Sequence, residues 1–168
     1  MAVNQYDAEV QRETEQILFS QFQRKYTVSD LENNPVLPLP DSADCVMKPD
    51  LYSESEGIIG EIYAHLGSLK PAQSHKIAAD ILKMLLYEKA AGISMKKYIV
   101  ICSSKAEEQL RGKSHLAEAI RRFSIRIEYL PLAPDDEKRL REAMNRQNFY
   151  PNAQTGIPET TPKGQDHP

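Results

Sequence analysis

The sequence predicts an α/β fold, a mixed central sheet with flanking helices, and three observations predict it. Lys97–Cys102 reads KYIVIC, an almost continuous apolar run of strand length, as in a strand covered on both faces. The strongest helical period in the chain, Gln73–Ala91, precedes it. Two short extended runs, Cys45–Tyr52 and Gly57–Leu66, come before that helix, separated by the polar Ser53-Glu54-Ser55-Glu56. Runs joined by a tight turn pair antiparallel, and runs joined through helices pair parallel, so the sheet is mixed.

The first helix is read over residues 3–25. Val10, Ile17, Leu18 and Phe22 recur at helical spacing, with Tyr6, Thr14 and Gln21 on the same stripe. Residues 27–44 are rich in Pro, Asn, Asp and Ser and form a loop, with a short extended piece at Val36–Leu39. In the helix before KYIVIC, Ile77, Ile81, Met84, Leu85 and Glu88 share one face, and Gly92 marks its stop. A helical region over Lys105–Phe123, broken at Gly112, leads to a strand at Ile125–Leu130. A last helix runs from about Pro134 to Gln147, with Pro at its start and Asp135-Asp136-Glu137 in its first turn. Residues 1–148 are expected to form one domain, and 149–168, rich in Pro and Gly, a disordered tail.

Composition narrows the function classes. The chain has 168 residues, 40% hydrophobic and 27% charged, which suits one globular domain. No apolar run approaches the roughly 18 residues of a membrane span. The polar, acidic N-terminus reads as neither a signal nor a transit peptide, and Cys45 and Cys102 suggest neither a disulfide scaffold nor a zinc site. A reduced cytoplasmic compartment is expected. The net charge of −3 argues against a module that grips duplex DNA by charge alone, so any nucleic-acid site is a local patch or is completed by a partner.

Chemistry concentrates around Lys48-Pro49-Asp50-Leu51-Tyr52 and Ile58-Ile59-Gly60-Glu61-Ile62-Tyr63-Ala64-His65. A hairpin brings Asp50 and Glu61 to one end of the sheet. Glu61 is an acid inside an otherwise apolar strand, where burial without a partner is unfavourable. Two carboxylates from facing strands suit a hard divalent cation, Mg2+ or Mn2+, whose other positions go to water and a substrate phosphate. Alternation puts Glu61, Tyr63 and His65 on one face and Ile62 and Ala64 on the other.

Over roughly residues 9–103 the chain resembles the PD-(D/E)xK nuclease superfamily, of restriction-endonuclease-like fold. Pro49-Asp50 looks like the PD element and Glu61-Ile62-Tyr63 stands in place of (D/E)xK. The resemblance implies the order α-β-β-β-α-β, here followed by a C-terminal α-β-α. It implies a metal held by Asp50, Glu61 and the Ile62 backbone carbonyl, with a glutamate from the first helix completing the site. Glu13 is the best match for that glutamate and Glu9 the runner-up. The lysine position holds Tyr63, whose phenol carries no charge near pH 7. Some members supply the lysine from the following helix, and Lys76 in its first turn is the substitute, with Lys83 about two turns farther along. Tyr63, His65, Lys70 and Gln73 are the candidate nucleic-acid contacts. The activity implied is hydrolysis of phosphodiester bonds in DNA or RNA, by a homodimer or a subunit of a larger complex. The alternative is an inactive module of the same fold that binds a protein or nucleic-acid partner, and Tyr63 favours it.

Plainer roles stand beside these. Asp50 after Pro49 is a natural turn-former, Glu61 has Lys48 as a cross-strand partner, and Lys76 fits a solvated helix face. Arg111, Lys113, His115, Arg121, Arg122 and Arg126 form a basic cluster, with Glu107, Glu108 and Glu118 close enough to neutralise it. Both cysteines read as structural.

Overall fold

Apolar side chains at positions 10, 18 and 22 of the first helix are buried, and the helix runs as α1 over Ala2–Tyr26. Fully burying Leu18 or Phe22 contributes on the order of 1.5–3 kcal/mol, enough to hold this helix on the sheet. The structure is a computed structural model that describes residues 2–40 and 42–149. Of the expected tail, 149–168, Phe149 is the last residue of a helix and the rest lies outside the described residues.

Two short strands, β1 (Leu37–Leu39) and β2 (Ser42–Met47), pair antiparallel in a small separate sheet. β3 (Leu51–Ser53) and β4 (Ile58–Tyr63) form the antiparallel hairpin of the main sheet, and β4 is buried along its whole length. The single strand expected over Cys45–Tyr52 is therefore two strands in two sheets. Pro49 has no N–H to give a ladder, and the chain leaves one sheet for the other there. Asp30 pins the turn, accepting from Ser53 Oγ at 2.6 Å and the Ser55 N–H at 3.0 Å.

α2 (Pro71–Ala91) opens with Pro in its first turn, where the missing N–H does no harm, and the Lys70 N–H donates to Gln73 Oε1 at 2.7 Å. Gly92, with φ of 65°, takes the left-handed conformation that ends it. β5 (Lys96–Ile101) follows, then α3 (Ser104–Leu110) and α4 (His115–Arg122), capped by the Ser103 and Ser114 hydroxyls. β6 (Arg126–Tyr129) and α5 (Pro134–Phe149) complete the chain.

The main sheet has the order β3-β4-β5-β6, with β3 antiparallel to β4 and with β4, β5 and β6 parallel. KYIVIC is thus an interior strand beside β4, as its apolar run predicts. The fold is mixed α/β, with five helices, this sheet and the small antiparallel sheet among the described residues. Ile58 and Ile62 face a core with Leu18 and Phe22 of α1 and Leu140 of α5, while Ile59 and Tyr63 face a core with Ile77, Ile81 and Met84 of α2. Among the described residues no helix is long and apolar enough to cross a membrane.

Candidate functional site

The site begins with a close approach of strands. A Cβ on Gly60 would lie 2.8 Å from the Tyr98 carbonyl oxygen and 3.2 Å from Leu51 Cδ1, so only glycine lets β4 lie this tightly between β3 and β5. The register pairs Gly60 with Leu51, which brings the preceding residue, Asp50, opposite Glu61. β3 begins at Leu51, so beyond Gly60 one edge of β4 has no strand partner, while the other edge stays paired with β5. The Asp50 carboxylate takes over that place: Oδ2 accepts the Ile62 N–H at 2.8 Å. The Asp50 carbonyl is held in turn by Asn33 Nδ2 at 3.3 Å.

Asp50 and Glu61 share a hydrogen bond between their side chains, and both titrate above the ordinary carboxyl range. For Glu61 burial is the largest cause, followed by the negative charges of Asp50 and Asp80, with Lys83 opposing. For Asp50 burial again leads, against the Ile62 N–H, the bond to Glu61 and the charge of Lys76. Simple like-charge repulsion is therefore the secondary effect. Their shared hydrogen bond lowers Asp50 and raises Glu61, so the pair titrates together with the proton favoured on Glu61. Lys48 is exposed and is not the partner of Glu61.

On the α2 side of the sheet stand Lys83, named from the sequence only as the lysine beyond Lys76, and Asp80, which the sequence reading passed over. Asp80, 2% exposed, accepts the Tyr63 hydroxyl at 2.6 Å and the Lys83 ammonium at 2.6 Å. The pKa of Lys83 is raised, most by its hydrogen bond to Asp80 and further by the charges of Asp80, Glu61 and Asp50, against its partial burial. The available signal was an acid on the apolar stripe of α2, between Ile77 and Ile81. Burial and the bond to Asp80 push the Tyr63 phenol upward, so it stays neutral.

Lys76 stands on the candidate side. Its ammonium lies 4.8 Å from the centre of the Tyr63 ring, and its charge acts on both Asp50 and Glu15. The Tyr63 ring thus carries a lysine on its face.

Glu13 requires correction. It is exposed and paired with Arg139 of α5 at 2.7 Å, which places it at the α1–α5 contact. The acid of α1 that reaches the site is Glu15, two positions along and about 200° round the helix. Glu15 is raised by burial and then by the charge of Asp50. Glu9 is exposed.

A cleft of about 230 Å³ opens between α1, the end of β4, the start of α2 and α5. Asp50 and Glu61 do not line it, but Ile62, whose N–H bonds Asp50, and Lys76, whose charge acts on Asp50, do. Ile62, Tyr63, His65, Lys70, Gln73 and Lys76 line it, so all four candidate nucleic-acid contacts border one concavity. Gln73 Oε1 is already occupied by the Lys70 N–H, so its amide N–H donates to His65 Nδ1 at 2.8 Å. Burial and the charge of Lys70 lower the His65 pKa against the Ser68 carbonyl, and the ring is neutral.

The basic cluster is largely neutralised: Arg111 pairs with Glu107, and Arg121 and Arg122 both with Glu118. Arg126 bonds the Tyr98 hydroxyl at 2.8 Å. Cys102 is buried and its thiol is pushed up to about 11, chiefly by burial, whereas Cys45 is exposed and fills no core position.

Among the described residues no group of three or more His, Cys, Asp or Glu side chains is gathered at metal-ligand spacing. What the site offers a hard cation is two carboxylates and backbone oxygen, with further positions left to water and substrate. In comparisons with protein families, curated proteins and solved structures, the chain matches none.

Proposed function

We propose that the chain is a metal-dependent nuclease that hydrolyses phosphodiester bonds in nucleic acid, as its resemblance to the PD-(D/E)xK superfamily implies. The observation that carries this reading is the pairing of Asp50 with Glu61 across the β3–β4 hairpin, the two hydrogen-bonded to each other with Glu61 holding a proton that a cation would displace. The sheet order, with an antiparallel strand beside three parallel ones, supports it.

Asp50, Glu61 and the Ile62 carbonyl would hold Mg2+ or Mn2+. The Ile62 N–H points toward Asp50, and the two backbone groups of one strand residue face the same side. A bound Mg2+ supplies charge neutralisation at the phosphate and lowers the pKa of a water molecule. Lys76 then compensates charge that builds on the phosphate, and the Tyr63 ring, fixed by its bond to Asp80, positions it. Lys83 pairs with Asp80 and its charge tempers Glu61. The apolar patch of Leu82, Leu85, Leu116 and Phe123 on the outer side of α2 and α4 supports assembly as a homodimer or within a larger complex.

The second reading, an inactive module that binds a partner, is favoured by the Tyr63 hydroxyl being committed to Asp80. Labelled DNA and RNA, single- and double-stranded, incubated with Mg2+ or Mn2+ separate the two. The nuclease reading expects cleavage by the wild type, with Glu61→Ala and Lys76→Ala each lowering the rate by roughly 10²–10³-fold. Absence of wild-type cleavage on every substrate contradicts it. Cleavage that survives Lys76→Ala moves the lysine's role to Lys83.

A further inference from the structure

Asp7 is fully buried on α1, where a charge must be matched. Its Oδ1 receives Arg146 of α5 at 2.9 Å, a pair that ties the two walls of the cleft together. Its Oδ2 has no hydrogen-bond donor, and among the described residues it is the one buried side-chain nitrogen or oxygen in that condition. An acceptor left this way is unfavourable, so a donor brought by a ligand has an unmet group to satisfy. Asp7 lines the cleft, as do Ile62 and Lys76.

The rest of the cleft says what kind of ligand. Ala64, Leu69 and Ala143 give it an apolar lining, and Gln73 and Lys76 stand on its polar side. At about 230 Å³ it falls below the roughly 300–1,000 Å³ of drug-sized sites and suits a single planar ring system. Lys76 belongs to this cleft, and its charge also reaches Asp50. A ligand seated here that carries a phosphate would meet Lys76 on the way to the carboxylate pair.

We propose that the cleft seats one unstacked nucleobase bearing an amino group, whose N–H donates to Asp7 Oδ2 while its phosphate lies toward Lys76. The proposal rests on the nuclease reading, since it names the nucleotide presented to the Asp50–Glu61 centre. Adenine, cytosine and guanine offer an exocyclic amino group. Uracil flanks its one ring N–H with two carbonyls, which the Asp7 carboxylate repels. Base pairing in a duplex already occupies these edges, so the substrate is single-stranded or flipped out.

The test is calorimetric titration of the full chain with the 5′-monophosphates of adenosine, cytidine, guanosine and uridine, in EDTA. The three amino-bearing nucleotides bind roughly tenfold or more tightly than the uridine nucleotide, the value of one hydrogen bond to a charged group. Asp7→Asn keeps an oxygen for Arg146 and turns a donor into the cleft, so the preference reverses toward the uridine nucleotide. Gln11→Trp, at an exposed position on the rim of the cleft, closes it and removes binding of all four without requiring any change in Asp7. Equal affinity for the four, or no binding by the folded wild type, overturns the proposal even where metal-dependent cleavage is found. Selective, Asp7-dependent binding by a chain that cleaves nothing upholds the base site and removes the nuclease reading.

Discussion

Two clusters of buried charge lie along the α2 face of the same sheet, and they are built to opposite rules. Where α2 ends and β5 begins, Glu88 meets Lys97, an ammonium 6% exposed, and also accepts the Met95 N–H at 2.9 Å. Burial alone would raise Glu88, but the Lys97 hydrogen bond, the Met95 N–H and the lysine charge outweigh it, and its pKa falls. Farther along, Asp50, Glu61 and Asp80 share Lys83, with Lys76 at the margin, and Glu61 titrates well above its usual range, chiefly through burial and then through its acidic neighbours. One cluster is closed by its lysine. The other sets three acids against two lysines, and Glu61 keeps a proton where Glu88 has a cation.

That contrast can be broken by single substitutions. Glu88→Ala leaves the Lys97 ammonium buried without its acid, and urea unfolding should show a loss of about 3–5 kcal/mol. A loss below 1 kcal/mol would mean that this pair is not the closed structural unit described. Gly60→Ala drives a methyl group into the Tyr98 carbonyl and should cost about 1–3 kcal/mol, separating β4 from β5 where Glu61 is held.

Glu61→Gln should act in the other direction. A carboxyl whose folded pKa lies above its unfolded value gives stability that is full below about pH 4.3 and is lost as pH rises toward the folded value. The neutral amide escapes that loss. Glu61→Gln should therefore match the wild type near pH 4 and exceed it by about 1.4 kcal/mol or more at pH 8, the equivalent of one pKa unit. A variant less stable than wild type at pH 8 would show that Glu61 is a satisfied structural acid like Glu88.

The sequence made the acid pair legible because its signals are local. A charge inside an apolar strand and a Pro-Asp eleven residues ahead, joined by a polar turn, fix a hairpin that sets Asp50 opposite Glu61. The interior position of Lys97–Cys102 followed from its unbroken apolar run. What was not legible depends on contacts between distant segments. The rotation of α1 decides that Glu15 reaches the site while Glu13 pairs with Arg139. Asp80 looked like one more helix charge until the Tyr63 hydroxyl and Lys83 were seen to converge on it. The burial of Asp7 depends on α5, whose Arg146 lies 139 residues away. The split of Cys45–Tyr52 between two sheets turns on Pro49, a residue that looked like part of the motif and also breaks the strand.

The most direct measurement of the central claim is calorimetric titration of the wild type with Mn2+ at pH 8, in two buffers of different ionisation enthalpy, beside Glu61→Gln. The carboxylate pair must release a proton to accept the ion, so the apparent binding enthalpy should differ between buffers in proportion to proton release, and affinity should fall as pH is lowered toward 6. Glu61→Gln, with no proton to yield and one charge fewer, should bind at least tenfold more weakly and show no difference between the buffers. Absence of Mn2+ binding by the wild type at millimolar concentration, or equal binding by Glu61→Gln, would contradict the account.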